Sequence, residues 1–182
     1  MTEKFVMPGR VSYYLPGGTP VYYIDAKHKA PRTVPGDIRT FILHETDGID
    51  SRQELYDSAR KVSVHYLIGA YPDTNGPVCI KYASERTEKT FGAGFGTVGG
   101  IKHNLNETCI SFEIESRGMT DATLDAYANC IAHSLHNWAT RTQVPVLLPH
   151  WLVDARKTDP KFQWTGMLSR IYRIYESLPT QK

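Results

Sequence analysis

The chain has 182 residues, 41% hydrophobic and 22% charged, the range of a globular protein that buries one core. Its 21 basic residues against 19 acidic ones leave a formal charge of +2, too small for the electrostatic footprint of a nucleic-acid binder. No run approaches the ~20 apolar residues of a membrane span, and the first ten residues lack the apolar core of a secretory leader, so synthesis in the cytoplasm is expected.

Residues 1–37 are broken by Gly17-Gly18, Pro20, Pro31 and Pro35, and read as an extended arm carrying a short hairpin or two short strands. Arg39 to Leu43 reads as a buried strand that delivers His44 at its end, followed by a loop over Glu45 to Gly48. Ser51 and Glu54 form a capping-box pattern, and Leu55, Ala59 and Val62 then share a helical face, which predicts about three turns. Val64 to Ala70 and Pro77 to Ala83 read as a hairpin around the Pro72 to Gly76 turn. Gly92, Gly94, Gly96, Gly99 and Gly100 mark Thr90 to Gly100 as a flexible connector or a functional loop. Cys109 to Glu115 suits a central strand. From Thr120-Asp121 onward, Leu124, Tyr127, Ala128, Ile131, Leu135 and Trp138 repeat with helical spacing, and the helix must end before Pro145. Val144 to Leu148 is a further short apolar run, which delivers His150 as the earlier strand delivers His44. A last helix is predicted from Thr165 to Leu178. Strands interleaved with helices imply a single-domain α/β fold, with a central, mostly mixed sheet of about five or six strands flanked by helices. The predicted organisation is an arm over 1–37 and one domain over 38–182.

Cys79, Cys109 and Cys130 form an odd set without metal-finger spacing, and each reads as a small buried apolar side chain. A catalytic metal needs three converging protein ligands and an open fourth position. His44 and His150 both follow strand-like runs, so both can emerge at one edge of a sheet, and Asp159 lies beyond His150 across a polar segment. Spacing alone does not single out this set, since the chain holds seven histidines. His65, at the start of a strand, is the strongest competitor, and His103 stays open. His28 sits in a basic stretch, Lys27-His28-Lys29. His133 is expected on the solvent side of the long helix, and His136 reads as structural.

Four segments resemble the type 2 N-acetylmuramoyl-L-alanine amidases, a group that spans phage lysozyme-type amidases, cell-wall recycling amidases and peptidoglycan-recognition proteins. They are Phe41-Ile42-Leu43-His44-Glu45-Thr46; Val62-Ser63-Val64-His65-Tyr66-Leu67-Ile68; Asn106 followed by Cys109 to Glu115; and His150, then Arg156-Lys157-Thr158-Asp159-Pro160, then Trp164. The resemblance implies that His44, His150 and Asp159 bind Zn2+ and that Glu113 and Lys157 are the catalytic helpers. On its own, Glu113 reads as a solvent-facing strand carboxylate and Lys157 as a surface lysine. The chain departs from the family pattern at Val64, where several relatives carry Tyr. It departs again at Thr90-Phe91-Gly92-Ala93-Gly94, where Trp-His-Ala-Gly is often seen, and in a connection from His150 to Asp159 that is one residue shorter than in recycling amidases.

The activity implied is zinc-dependent hydrolysis of the amide between N-acetylmuramic acid and L-alanine. Bacterial peptidoglycan, both glycan strand and stem peptide, is the partner, and a monomer is expected. The compact connection from His44 to His65 suits a phage endolysin that is made in the host cytoplasm and reaches the wall after release. The alternatives are a cytoplasmic recycling amidase, a non-catalytic peptidoglycan-binding module and a structural virion component. Trp151 and Thr158 are candidate substrate contacts, and Glu45 and Glu115 are solvent or supporting groups.

Overall fold

A computed structural model describes residues 5–48, 50–57, 59–98, 100–139 and 143–179. In chain order the elements are β1 (Tyr13–Tyr14), β2 (Pro20–Tyr23), β3 (Lys29–Pro31), β4 (Thr40–Thr46), α1 (Arg52–Tyr56), β5 (Tyr66–Ala70), β6 (Pro77–Lys81), β7 (Glu88–Thr90), β8 (Phe95–Val98), β9 (Ile101–Asn104), α2 (Leu105–Thr108), β10 (Cys109–Glu115), α3 (Asp121–Trp138), β11 (Val146–Pro149), α4 (His150–Val153) and α5 (Trp164–Ser177). Seven strands form one mixed sheet in the order β1-β2-β6-β5-β10-β4-β11, while β3 pairs with β7 and β8 with β9. The neighbours β5, β10, β4 and β11 run parallel, and β6 runs antiparallel to β5.

The period-two alternation of the strand sequences decides what each face of the sheet meets. Phe41 and Leu43 of β4, Ile110, Phe112 and Ile114 of β10, and Tyr66 and Ile68 of β5 pack with Tyr127, Ile131 and Leu135 of α3 and with Met167 and Ile171 of α5. Burying such a side chain stabilises the fold by about 1.5–3 kcal/mol relative to leaving it exposed. The intervening residues face the other way. Ile42 and Cys109 join Ala93, Leu105 and Val153 in one cluster, and Leu67, Val78 and Ile80 join Leu55 and Tyr82 in another. His44 and Glu113 share the parity of Ile42 and Cys109, so their side chains belong to this second face.

Helix α3 begins where the sequence predicts: Thr120 Oγ1 accepts from Thr123 N at 3.2 Å, and a reciprocal bond completes the capping box. The segment read as an N-terminal arm supplies β1 and β2, which lengthen the sheet at the edge beyond β6, with Val21 beside Cys79. Helix α1 has five residues, shorter than the three turns predicted. Ser51 does not cap it, because its hydroxyl is engaged by Thr46 Oγ1 at 3.0 Å and Glu115 Oε2 at 3.4 Å. No described helix is long and apolar enough to cross a membrane, and the three cysteines are free and buried.

The glycine-rich stretch read as a connector or loop instead supplies β8, which pairs antiparallel with β9 just beyond it; Gly99 lies outside the described residues. Gly96 is the close-approach point, since a Cβ there would sit 2.4 Å from Leu105 Cδ1 and 2.8 Å from the Val153 carbonyl oxygen. Gly96→Ala is therefore expected to destabilise the protein by about 1–3 kcal/mol. In a thermal melt the midpoint should fall by a few degrees or more; an unchanged midpoint would contradict the tight contact between β8 and α4.

Candidate functional site

Three parallel neighbours bring the candidate residues to one end of the sheet. Glu113 on β10 lies in register with His44 on β4. Pro149 of β11 lies in register with Leu43, so His150, the first residue of α4, emerges beside His44. Sites in α/β sheets form at the carboxyl ends of such strands. The backbone returns Asp159 to the same point: Trp151 N donates to the Asp159 carbonyl at 3.0 Å, and Lys157 N to the Asp154 carbonyl at 2.9 Å. Beyond Asp159, Glu45 Oε2 accepts from Lys161 N at 2.5 Å and Phe162 N at 3.1 Å. Glu45 thus acts as a supporting group that anchors the segment after Asp159. From the opposite face, the Tyr127 hydroxyl donates to the carbonyls of Phe112 at 3.0 Å and His44 at 3.3 Å, fixing the two strand ends against α3.

His44 Nδ1 and His150 Nδ1 are 3.0 Å apart, and Asp159 Oδ2 lies 3.0 Å from His150 Nδ1 and 3.5 Å from His44 Nδ1. Donor atoms bonded at about 2.0–2.2 Å around a tetrahedral ion stand roughly 3.3–3.6 Å from one another. The three spacings are close to those edges. Both histidines are 3% exposed, so the donors are shielded except towards the cleft. The residues form a group able to hold a metal ion. Burial pushes the His44 imidazole down to about 4, keeping it neutral as a metal donor must be. Burial alone would raise the Asp159 carboxyl, but hydrogen bonds from His150 and His44 and their charge hold it far below the usual carboxylate range.

These donors open into a cleft of about 380 Å³, whose lining includes Glu113, Lys157, Thr46, Glu54 and Arg60. Glu113 makes no hydrogen bond among the described residues. Burial, and then the negative charges of Asp159 and Glu115, push its carboxyl well above the usual range, while Lys157 pulls it back. A carboxyl raised in this way holds a proton more readily than a free one, as a group that must both accept and return a proton requires. Lys157 is exposed and faces the same cleft.

His65 is not part of this group. It is fully buried, with Nε2 2.9 Å from Arg32 Nη2, and Nδ1 3.1 Å from Thr90 Oγ1 and 3.2 Å from Ser111 Oγ. Arg32 in turn donates to the carbonyls of Glu85, Glu107 and Cys109, so the network ties the N-terminal segment to the sheet. Burial and the adjacent guanidinium push His65 down to about 3. Between pH 6.5 and 3 the unfolded chain therefore binds a proton that the folded chain refuses, and stability must fall as pH drops through that window. The expected loss from this group is on the order of 3 kcal/mol between pH 6.5 and 4. An NMR titration should find the His65 ring neutral down to pH 4; a midpoint near 6.5 would contradict the assignment.

His103 lies on β9, outside the donor group, and His28 pairs with Asp57 at 3.5 Å. His133 is half-buried rather than solvated. Glu54, read from sequence as part of a capping box, lines the cleft instead. Arg60 lines the cleft although nothing in its local pattern marks it, and Thr46 was marked only as the last residue of the first family-like segment. Tyr127 was visible only as a member of the apolar stripe. Glu115, read as a solvent or supporting group, is 2% exposed and accepts from Ser51 N at 2.5 Å.

A family model described as N-acetylmuramoyl-L-alanine amidase matches residues 34–162. Solved structures similar to the chain include AmpDh3 from Pseudomonas aeruginosa, with TM-score 0.60 and 22% identity over 76% of this chain and 61% of that one. A second is the N-acetylmuramyl-L-alanine amidase AmiD from E. coli in complex with the substrate anhydro-N-acetylmuramic acid-L-Ala-D-gamma-Glu-L-Lys, with TM-score 0.58 and 20% identity over 86% of this chain and 65% of that one. A third is a mutant endolysin from Bacillus subtilis, with TM-score 0.60 and 15% identity over 84% of this chain and 99% of that one. At these identities the likeness is one of fold. The chain spans about three fifths of the length of the Pseudomonas structure. No curated protein sequence matches it.

Proposed function

Because the chain belongs to the N-acetylmuramoyl-L-alanine amidase family, matched over residues 34–162, we propose that it hydrolyses the amide bond between the lactyl group of N-acetylmuramic acid and the L-alanine of the peptidoglycan stem peptide. The observation that carries this reading is the meeting of His44, His150 and Asp159 at donor-to-donor spacings of 3.0–3.5 Å, with Glu113 in register on the adjacent strand. Their two imidazole nitrogens and one carboxylate oxygen suit Zn2+. When bound, the ion supplies Lewis acidity that acidifies water and polarises a carbonyl.

The chain's own groups then divide the remaining work. The Glu113 carboxylate accepts the proton of the attacking water and returns it to the departing alanine nitrogen. The Lys157 ammonium faces the oxygen on which negative charge develops, a placement worth roughly 3 kcal/mol for a donor of this kind. Asp159, held ionised, keeps the donor set anionic enough to retain a divalent ion.

In the experiment, purified protein is incubated with cell-wall sacculi and the products are read by mass spectrometry, with bound zinc measured alongside. Stem peptides beginning with a free L-alanine amine, in a protein carrying one zinc per chain, are expected. Wall binding without release would point to a non-catalytic module. We infer an endolysin setting from the compact connection between His44 and His65. That reading requires faster turnover on intact sacculi than on a soluble anhydromuramyl peptide, and the reverse preference would favour a recycling enzyme.

A further inference from the structure

Cys79 lies at the centre of β6, flanked by Val21 of β2 and Ile68 of β5. Its side chain faces α3, where Cys130 sits with its Sγ 3.7 Å away. The two belong to the main core and are 0% and 1% exposed. Cys109, the third thiol, packs in the separate cluster on the opposite face of the sheet. The hydrolytic reading uses none of the three, and the inference is independent of it.

We propose that Cys79 and Cys130 are a disulfide-forming pair, closed by a disulfide oxidant such as oxidised glutathione, that staples β6 to α3. The two thiols come from elements 51 residues apart and already touch. Closure needs the sulfur atoms to move from 3.7 Å to the ~2.05 Å of a bond. In the reaction, one cysteine thiolate attacks the oxidant and expels one glutathione thiolate, leaving a mixed disulfide. The second cysteine thiolate then attacks the cysteine sulfur of that bond and expels the second glutathione. The chain loses two electrons and two protons; the oxidant gains the electrons, and the protons go to its two thiolates. Burial, and the neighbouring Cys79, push the Cys130 thiol well above its usual value, so thiolate is scarce in the folded protein. Closure therefore belongs to the folding chain or to transient openings, and the finished bond is shielded by the same core.

The test refolds the full chain in an oxidised glutathione buffer and, separately, with dithiothreitol, followed by non-reducing peptide mapping and thermal melts. The oxidised product is expected to be about 2 Da lighter, with Cys79 linked to Cys130 and Cys109 still alkylatable. Its melting midpoint should lie roughly 10 °C above that of the reduced form, in line with a cross-link closing a loop of this size. Cys109→Ala should keep both the link and the shift, and Cys79→Ala should remove both; because wild-type protein is compared with itself in two redox states, the result stands even if Cys79→Ala fails to fold. Three free thiols after oxidation, a link through Cys109, or a Cys79–Cys130 link without a higher midpoint would each overturn the proposal.

Discussion

Asp159→Ala is expected to strip the metal from the protein and lower kcat/KM by at least about 1000-fold, roughly 4 kcal/mol of transition-state stabilisation. Asp159 is the one carboxylate of the group; without it, two imidazoles face a cleft that also holds Lys157. Loss of a group that merely supports a ligand typically costs 10–100-fold in metal affinity, so loss of a ligand should exceed about 100-fold. The fold should survive, because the Asp159 side chain is 20% exposed and its backbone contact with Trp151 does not need the carboxylate. Metal content, activity and the far-ultraviolet spectrum together check this. A variant that keeps full zinc occupancy and activity would exclude Asp159 as a ligand.

Glu113→Gln separates proton transfer from metal binding. The amide keeps the shape of the side chain but cannot accept the proton of water, so kcat is expected to fall about 10²–10⁴-fold with zinc content and KM little changed. Stability should move the other way. The folded protein raises the Glu113 carboxyl, so between the ordinary carboxylate range and that raised value the folded state holds a proton that the unfolded chain has lost. Stability from this group therefore falls as pH rises through that window, because ionising the buried carboxyl beside Asp159 and Glu115 opposes folding. In metal-free protein at neutral pH, Glu113→Gln should raise the melting midpoint; a lower midpoint together with retained activity would remove Glu113 as the base.

Strong local periodicity made part of this architecture legible in the sequence. The alternation from Cys109 to Glu115 and the apolar stripe from Leu124 to Trp138 mark β10 and α3 because each buries a full face. Helix α1 is shorter than its pattern suggests because the backbone leaves the helical region at Asp57 and Lys61 takes a positive φ, while at its start Ser51 serves a tertiary contact with Glu115; no local spacing reveals either. The β8–β9 hairpin was hidden by its glycines, one of which is required by the approach of Leu105 and Val153 from distant positions. For the site, strand ends made His44 and His150 candidates, but choosing them over the other histidines, and the roles of Asp159, Glu113 and Lys157, rested on family resemblance. What assembles them is the parallel register of β10, β4 and β11, a long-range property. His65, the strongest competitor for a metal role, is excluded by its partners Arg32, Thr90 and Ser111, which no local pattern reveals.

Zinc-loaded crystals measured on both sides of the zinc absorption edge test the central claim most directly. One anomalous peak is expected, bonded to His44 Nδ1, His150 Nδ1 and Asp159 Oδ2 at about 2.0–2.2 Å, with its open side towards Glu113. A peak at other residues, or none at stoichiometric zinc, would contradict the account.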